Sequence, residues 1–345
     1  MTRYAPFVPR RPSAIGRALH ETSIGLRALQ LLRGRVRAAD LVIATSPPPF
    51  GAACAVWVAK RHGKPCVVLA YDLAADLASD TFGLAGRVAG GMFRVLEARL
   101  YARADTVVAL TDDMAERIRL LAKRPAPVPV IRIWADDELR HLDHAAAAKA
   151  WRARVGIPEE RRLIGFAGNF GQKQHLPEIV EAIRDLPSSY TTVFIGDGPD
   201  RTAMERVASG ASGDVRILPP QLTADLHAFL SACDVSIVAA WTKHPGSLFP
   251  SKVANILAAG SPILAITDRC TELATLLEEK NIGLTCPSLD PGRIREATRH
   301  GVELGRDGDR RARCRHYAAD HFDKDRAMRC FLTEVSRLVP WRQSE

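Results

Sequence analysis

The residues best equipped for chemistry in this 345-residue chain lie in Gly246-Ser247-Leu248-Phe249-Pro250-Ser251-Lys252, directly ahead of the apolar stretch Val253 to Ala259. Pro250 and Ser251 suit the start of a helix, and Lys252 adds a full positive charge to the end of the helix dipole that is already positive. A cation is unfavourable there unless an anion joins it. With one bound, N–H groups, the Ser251 hydroxyl and the Lys252 ammonium would converge on its oxygens, which is phosphate chemistry. A solvated lysine stem is the plainer alternative. A second candidate, Gly165-Phe166-Ala167-Gly168-Asn169-Phe170-Gly171, follows an apolar run and precedes Gln172, Lys173 and a helix expected from about Pro177. Glycines let the backbone approach a ligand closely, although a tight strand-to-helix turn uses the same residues. A third, Gly196-Asp197-Gly198-Pro199, makes a sharp exit from a strand, with Asp197 or Asp200 able to cap the next helix. Its role can be purely architectural. Asp72 and Asp76, just after the apolar run that begins at Cys66, can orient a hydroxyl or accept its proton, or equally serve as a turn acid and a helix cap. His175 and His244 lie near these loops and are read as surface or structural. No grouping of His, Cys, Asp and Glu has metal-ligand spacing, and no metal or other cofactor is expected.

Such loops need strands to hold them. Short runs rich in Val, Ile and Leu alternate with amphipathic stretches: DLVIATS, PCVVLAYD and DTVVALT in the first half, then LIGFAGNFG, TTVFIGDGP, VRILPP, DVSIVAA, PILAITD and IGLTCP. The alternation predicts βαβ units and two open parallel sheets. Ligands bind such sheets beyond the carboxyl ends of the strands, where the glycine-rich loops fall. The chain exceeds the roughly 250–300 residues at which a single core stops growing, so two domains are expected. The polar, then alanine-rich stretch from Asp136 to Ala150 is read as the linker.

The composition, 47% hydrophobic and 25% charged, is that of a globular protein. No apolar run approaches the roughly 20 residues of a membrane-spanning helix, and the start has no apolar stretch ahead of a cleavage site, so the expected location is cytoplasmic. Seven scattered cysteines read as cytosolic thiols. A net charge of +9 favours a polyanionic partner. Aromatic residues are only 6%, with no stacking platform and no recognition module, which argues against nucleic acid. A diphosphate substrate or an anionic membrane surface fits better, and the segment Arg87 to Arg103 has the mixture of apolar and basic positions that suits a helix lying on such a surface. A packed helix with a basic solvent face accounts for it equally.

The order GNFG, then GDGP, then PSK-x-x-x-x-LAAGSPILA resembles the retaining GT-B glycosyltransferases, in particular the bacterial family 4-like, group 1 enzymes that build exopolysaccharides and cell-surface glycans. In the first half ADLVIATSPPPFGAACAVWVAKRHGKPCVVLAYDLAAD and RADTVVALTDDMAERI are similar to that group as well. The resemblance implies a GT-B fold, two Rossmann-like domains facing a cleft. It implies an acceptor-side domain over 1–140, a donor domain over 141–315 and a C-terminal helix, 316–345, returning to the first. It further implies that Lys252 and Ser251 bind the donor diphosphate, with Gly168, Asn169 and Gly171 beside it, Gly198 near the nucleotide and Leu218 to Gln221 flanking the base; Lys173, in the same loop, is a further donor-side candidate. The partners implied are a nucleotide-sugar donor and a glycan or lipid-linked acceptor; for such a transfer Lys252 is the candidate to stabilise the leaving charge and Asp72 the candidate to act on the acceptor. Where the family often carries two glutamates separated by seven residues, this chain has Ser247 and Asn255, of which Asn255 can hydrogen-bond a ribose hydroxyl without supplying charge. The opening strand and glycine-rich loop of the family have no match before Asp40, so a shortened N-terminal domain is expected. A non-catalytic or truncated GT-B binding protein and a sugar-nucleotide epimerase are the alternatives.

Overall fold

The computed structural model describes residues 14–79, 83–241, 244 and 246–339. The chain divides into two compact units, one of Met1–Arg132, Thr242–Phe249 and Asp325–Glu345, the other of Ile133–Trp241 and Pro250–Lys324.

The first unit contains α1 (Ala14–Arg33), β1 (Val42–Ser46), α2 (Pro49–Arg61), β2 (Cys66–Ala70), α3 (Ala74–Ser79), α4 (Gly83–Arg103), β3 (Thr106–Ala109) and α5 (Asp112–Ala122). Its three strands form one parallel sheet in the order β1-β2-β3. Val67, Val68 and Val107 are fully buried because helices cover the sheet, which is why β2 and β3 read as unbroken apolar runs. The alternating β1 instead exposes Ile43 and Thr45. After β3, Val130 adds a parallel bridge to Ala109.

The second unit opens with α6 (Glu138–His141) and α7 (His144–Val155). The stretch expected to be a linker is therefore mostly helical. Alanine is the strongest helix former, the Asp143 carboxylate accepts the Ala146 N–H at 3.0 Å, and Gly156 closes the helix at φ +68°. Trp151 anchors α7, its ring 5.0 Å from that of Phe229. Truncating Trp151 to alanine should cost about 3–5 kcal/mol, read as a shift in the urea unfolding curve.

From there the chain runs β4 (Arg162–Ala167), α8 (Leu176–Ile183), β5 (Tyr190–Ile195), α9 (Arg201–Ser209), β6 (Asp214–Leu218), α10 (Thr223–Ala232) and β7 (Val235–Ala239). It continues through α11 (Lys252–Ala258), β8 (Ile263–Ile266), α12 (Glu272–Lys280), β9 (Gly283–Cys286), α13 (Pro291–Gly305) and α14 (Gly308–His321). The last helix, α15 (Lys324–Leu338), belongs from Asp325 onward to the first unit. The six strands are parallel in the order β6-β5-β4-β7-β8-β9. Ile164, Phe166, Phe194, Ile237 and Leu264 join Ile179, Val180 and Ile294 in a core on one face of the sheet. Strands β5 and β6 extend to one side of β4, and the chain then returns to start β7 on the other. Strand order reverses there, and in an open α/β sheet that is where a ligand crevice forms.

Candidate functional site

Both loops that border the reversal point carry residues singled out in the sequence. The loop after β4 holds Gly168, Asn169 and Gly171, and the stretch after β7 leads to Ser251 and Lys252 at the start of α11. That helix is anchored by Val253, Ala254, Ile256 and Leu257, all buried. Its first residue points the other way. The Lys252 Nζ lies 4.0 Å from the centre of the Phe166 ring, is shielded from solvent and has no hydrogen-bond partner among the described residues. Gly168 faces it at φ +144°, and a Cβ on that residue would sit 2.6 Å from Nζ. Glycine is needed there both for the backbone angle and for the space. Burial pushes the Lys252 ammonium down to about 8. Among the described residues this shielded cation has an aromatic face and no counter-charge, a setting whose chemistry suits an anion.

The loops after β4 and β5 are locked together. Gly168 donates its N–H to the Ile195 carbonyl at 3.0 Å, Phe170 to Asp197 at 2.8 Å, and Asp200 to Phe170 at 3.1 Å. Gly198, at φ +154°, leaves room for the Phe170 carbonyl and the Asn169 Oδ1, which a Cβ would meet at 2.5 and 2.8 Å. The Asn169 amide is thus held between Gly198 and Gly171. Neither aspartate caps α9 with its side chain: Asp197 accepts the N–H of Gly198 at 2.8 Å, and Asp200 sits at the cap position without a side-chain bond. Burial, with Glu178 nearby, raises the Asp200 carboxyl above its ordinary range. Lys173 is half-buried in the short turn Gln172–Gln174. Leu218 accepts the Gly196 N–H, and the Gln221 amide folds back to the Pro219 carbonyl at 2.8 Å.

Ser251 is exposed at the cap of α11, its hydroxyl free of any cap bond to the helix. Two of the sequence candidates are occupied by the protein itself. Ser247 belongs to the first unit, is fully buried, and donates its hydroxyl proton to the His244 carbonyl at 2.6 Å. The Asn255 amide is committed to Asp136: Nδ2 donates to Asp136 Oδ2 at 2.8 Å, and Oδ1 accepts the Asp136 N–H at 2.9 Å. The same Asp136 oxygen pairs with Nε2 of the buried His227 at 2.8 Å. A carboxylate absent at 255 is therefore present beside it. Sequence reasoning placed Asp136 in a linker and missed it, because nothing local marks a pairing across 119 positions.

In the first unit Asp72 is half-buried and forms an antiparallel bridge with Leu248, and Leu73 donates its N–H to the Ser247 carbonyl at 2.9 Å. Asp76 is buried and paired with Arg117 and, at 3.4 Å, with Arg94, so it serves neither as a free acid nor as the cap of α3. The N–H groups at the start of α3 are taken by Glu97 of α4 instead: Ala74 donates to Oε1 at 2.8 Å and Ala75 to Oε2 at 3.1 Å. Tyr101 adds its hydroxyl to Oε1 at 3.2 Å. Burial pushes the Glu97 carboxyl up to about 7, against the lowering effect of these three donors and with Asp76 adding repulsion. Its place four residues from both Phe93 and Tyr101, on the apolar face of α4, was the available signal. No group of three His, Cys, Asp or Glu side chains could hold a metal ion among the described residues. No helix among them is long and apolar enough to cross a membrane.

Two α/β units, each built on a parallel sheet, have the architecture of a GT-B fold, and the comparisons with known proteins agree on that fold. Residues 2–134 match the glycosyl transferase 4-like domain and 147–321 match glycosyl transferases group 1. The chain belongs to the group 1 glycosyltransferase family and is a transferase. It is 27% identical over 342 residues to WcaI of Escherichia coli (strain K12), a protein assigned to colanic acid biosynthesis as a glycosyl transferase, covering 95% of this chain and 82% of the relative. It is 28% identical to the probable glycosyltransferase WbjE of Pseudomonas aeruginosa over 59% of this chain and 51% of that one. Among solved structures, Anabaena Alr3699/HepE in complex with UDP-glucose superimposes with a TM-score of 0.71 at 15% identity, covering 95% of this chain and 84% of the other. At that identity the likeness speaks for the fold alone.

Proposed function

We propose that this enzyme transfers a sugar, with retention of configuration, from a nucleotide-sugar donor to a cell-surface glycan or lipid-linked acceptor. The observation that carries this reading is the Lys252 ammonium beside Gly168, shielded and without a hydrogen-bond partner among the described residues. A donor diphosphate set there would receive the ammonium, with the Ser251 hydroxyl and the Asn169 amide near at hand, and Gly171, Lys173 and Gly198 shaping the rim. As the bond to the sugar breaks, negative charge grows on the diphosphate, and a fixed cation lowers that barrier without reorganising. No protein nucleophile is needed when the acceptor hydroxyl attacks on the face the diphosphate leaves. Asp72 would orient that hydroxyl or take its proton. A donor of this class is what the Anabaena neighbour of like fold holds in its UDP-glucose complex, and WcaI is assigned to colanic acid biosynthesis.

The test is nucleoside diphosphate release from UDP- and GDP-sugars, with and without lipid-linked glycan extracts, followed by NMR of the product anomer. Acceptor-dependent release with retention is expected. An inverted product would sink the stereochemical assignment, and conversion of the sugar nucleotide with no acceptor would mean an epimerase.

With a lipid-linked acceptor the work would lie at the inner face of a membrane. On α4, Val88, Met92 and Val95 are exposed at 62%, 71% and 50%, on a stripe that continues into Arg99 and Arg103. Those two arginines, with Leu29, Arg33 and Trp57, line a groove of about 320 Å³. Arg94 of the same helix is drawn instead to Asp76. Co-sedimentation with phosphatidylglycerol vesicles is expected, falling with salt and in Arg99→Glu/Arg103→Glu, with little binding to pure phosphatidylcholine. Equal binding to both lipids would refute the electrostatic part.

A further inference from the structure

Glu97 is a buried carboxylate that the transfer chemistry does not use, yet it is the hub of the loops that follow β1 and β2. Its two oxygens take the N–H groups of Ala74 and Ala75, and Tyr101 reaches the same carboxylate from one turn further along α4. The Tyr101 hydroxyl lies beside Ser46 at the end of β1, whose carbonyl accepts the Tyr71 N–H at 2.9 Å. Three of these bonds, from the N–H groups of Tyr71, Ala74 and Ala75, hold the short backbone stretch that presents Asp72.

We propose that Glu97 is a positioning residue for the acceptor half of the reaction, its ionised carboxylate holding the Tyr71–Ala75 backbone, and with it Asp72, by accepting the Ala74 and Ala75 N–H groups together. The acceptor role of Asp72 is the reading given under the proposed function, and this inference rests on it. Once protonated, one of the two oxygens becomes a donor and no longer accepts an N–H, so the clamp is halved. The groups facing Glu97 are Tyr101 on its own helix, itself within reach of the Asp72 charge, and Asp76 on α3, whose charge is met by Arg94 of α4 and Arg117 of α5. Because burial lifts this carboxyl to about 7, both forms are present near neutral pH. Acceptor use then rises with pH through neutrality. Stability moves the other way: the raised folded value means the native chain binds the extra proton between about 4.5 and 7, so stability falls as pH rises through that window.

The experiment follows the amide resonances of Ala74 and Ala75 in the ¹⁵N-labelled full chain from acid to alkaline pH, alongside kcat/KM for acceptor and UDP binding. Expected are a shared midpoint near 7 in both amides and in kcat/KM, its upward displacement in Tyr101→Phe, and its disappearance in Glu97→Gln, where kcat/KM falls by about tenfold or more. UDP affinity should be the same in all three proteins. Amides that do not titrate, or that titrate equally in Glu97→Gln, overturn the proposal. So does a kcat/KM profile that stays put in Tyr101→Phe while the amide midpoint moves, since Glu97 would then only fill space. Failure of wild type to bind any nucleotide or nucleotide sugar would refute the donor site instead, and the amides would still report whether Glu97 holds the loop.

Discussion

Replacing Lys252 with alanine is expected to lower kcat/KM by about a hundredfold to a thousandfold, the scale of losing one preorganised stabiliser of a developing anion. The fold should survive. Nζ makes no hydrogen bond among the described residues and carries a desolvation cost, so its removal gives up a cation–π contact of about 1–2 kcal/mol and relieves a buried charge of comparable effect. The urea midpoint should therefore hardly move while calorimetric affinity for UDP or GDP drops. The pH dependence supplies a second signature. With the ammonium at about 8 in the free enzyme, binding a diphosphate above that pH must recruit a proton, so affinity falls as pH rises past 8. In Lys252→Ala that decline should vanish. Unchanged affinity in the variant, with the protein shown to be folded, would remove the donor site from this part of the molecule.

The unusual setting of Lys252 was legible in the sequence because it breaks a local rule: a lysine at the first position of a helix opposes the dipole, and the folded chain places its Nζ shielded over the Phe166 ring. The strands were legible for the opposite reason, since β4, β5 and β7 obey the rule for strands covered on both faces. What the sequence hid is partner choice. Ser247 and Asn255 have the right chemistry for a ligand, and only the folded chain shows their polar atoms turned to His244 and Asp136. The alanine-rich stretch was misread as a connector because its polar start outweighed its helix propensity, although Asp143 and Gly156 bracket it with both expected caps. Glu97 and Asp136 were missed together. Each is a carboxylate whose role depends on donors brought from a distant segment, Ala74 and Ala75 in one case and Asn255 and His227 in the other.

The exchange of a glutamate for Asn255 next to Asp136 leads to the other large effect. Asn255→Glu should destabilise the second unit by about 2–3 kcal/mol at pH 7, because it removes the Nδ2 donor at 2.8 Å and sets a second carboxylate against Asp136. Water reaches this place, with the Asp136 side chain 42% exposed, so the repulsion is screened and the figure stays well below that of a dry pair. One proton shared between the acids would relieve it. The introduced glutamate therefore has a raised folded value, and the loss should grow as pH rises from about 4.5 and fade as pH falls towards it. Adding Asp136→Asn returns one donor and one carboxylate to the pair in exchanged places, and the double variant should recover most of the stability in a urea double-mutant cycle. If Asp136 supplies the charge that a donor ribose needs, the double variant also keeps its affinity for the nucleotide while Asp136→Asn alone loses it. Equal stability of Asn255→Glu and wild type across pH 5 to 8 would show that the two side chains part in solution, and the Asp136 carboxylate could then not be fixed by Asn255.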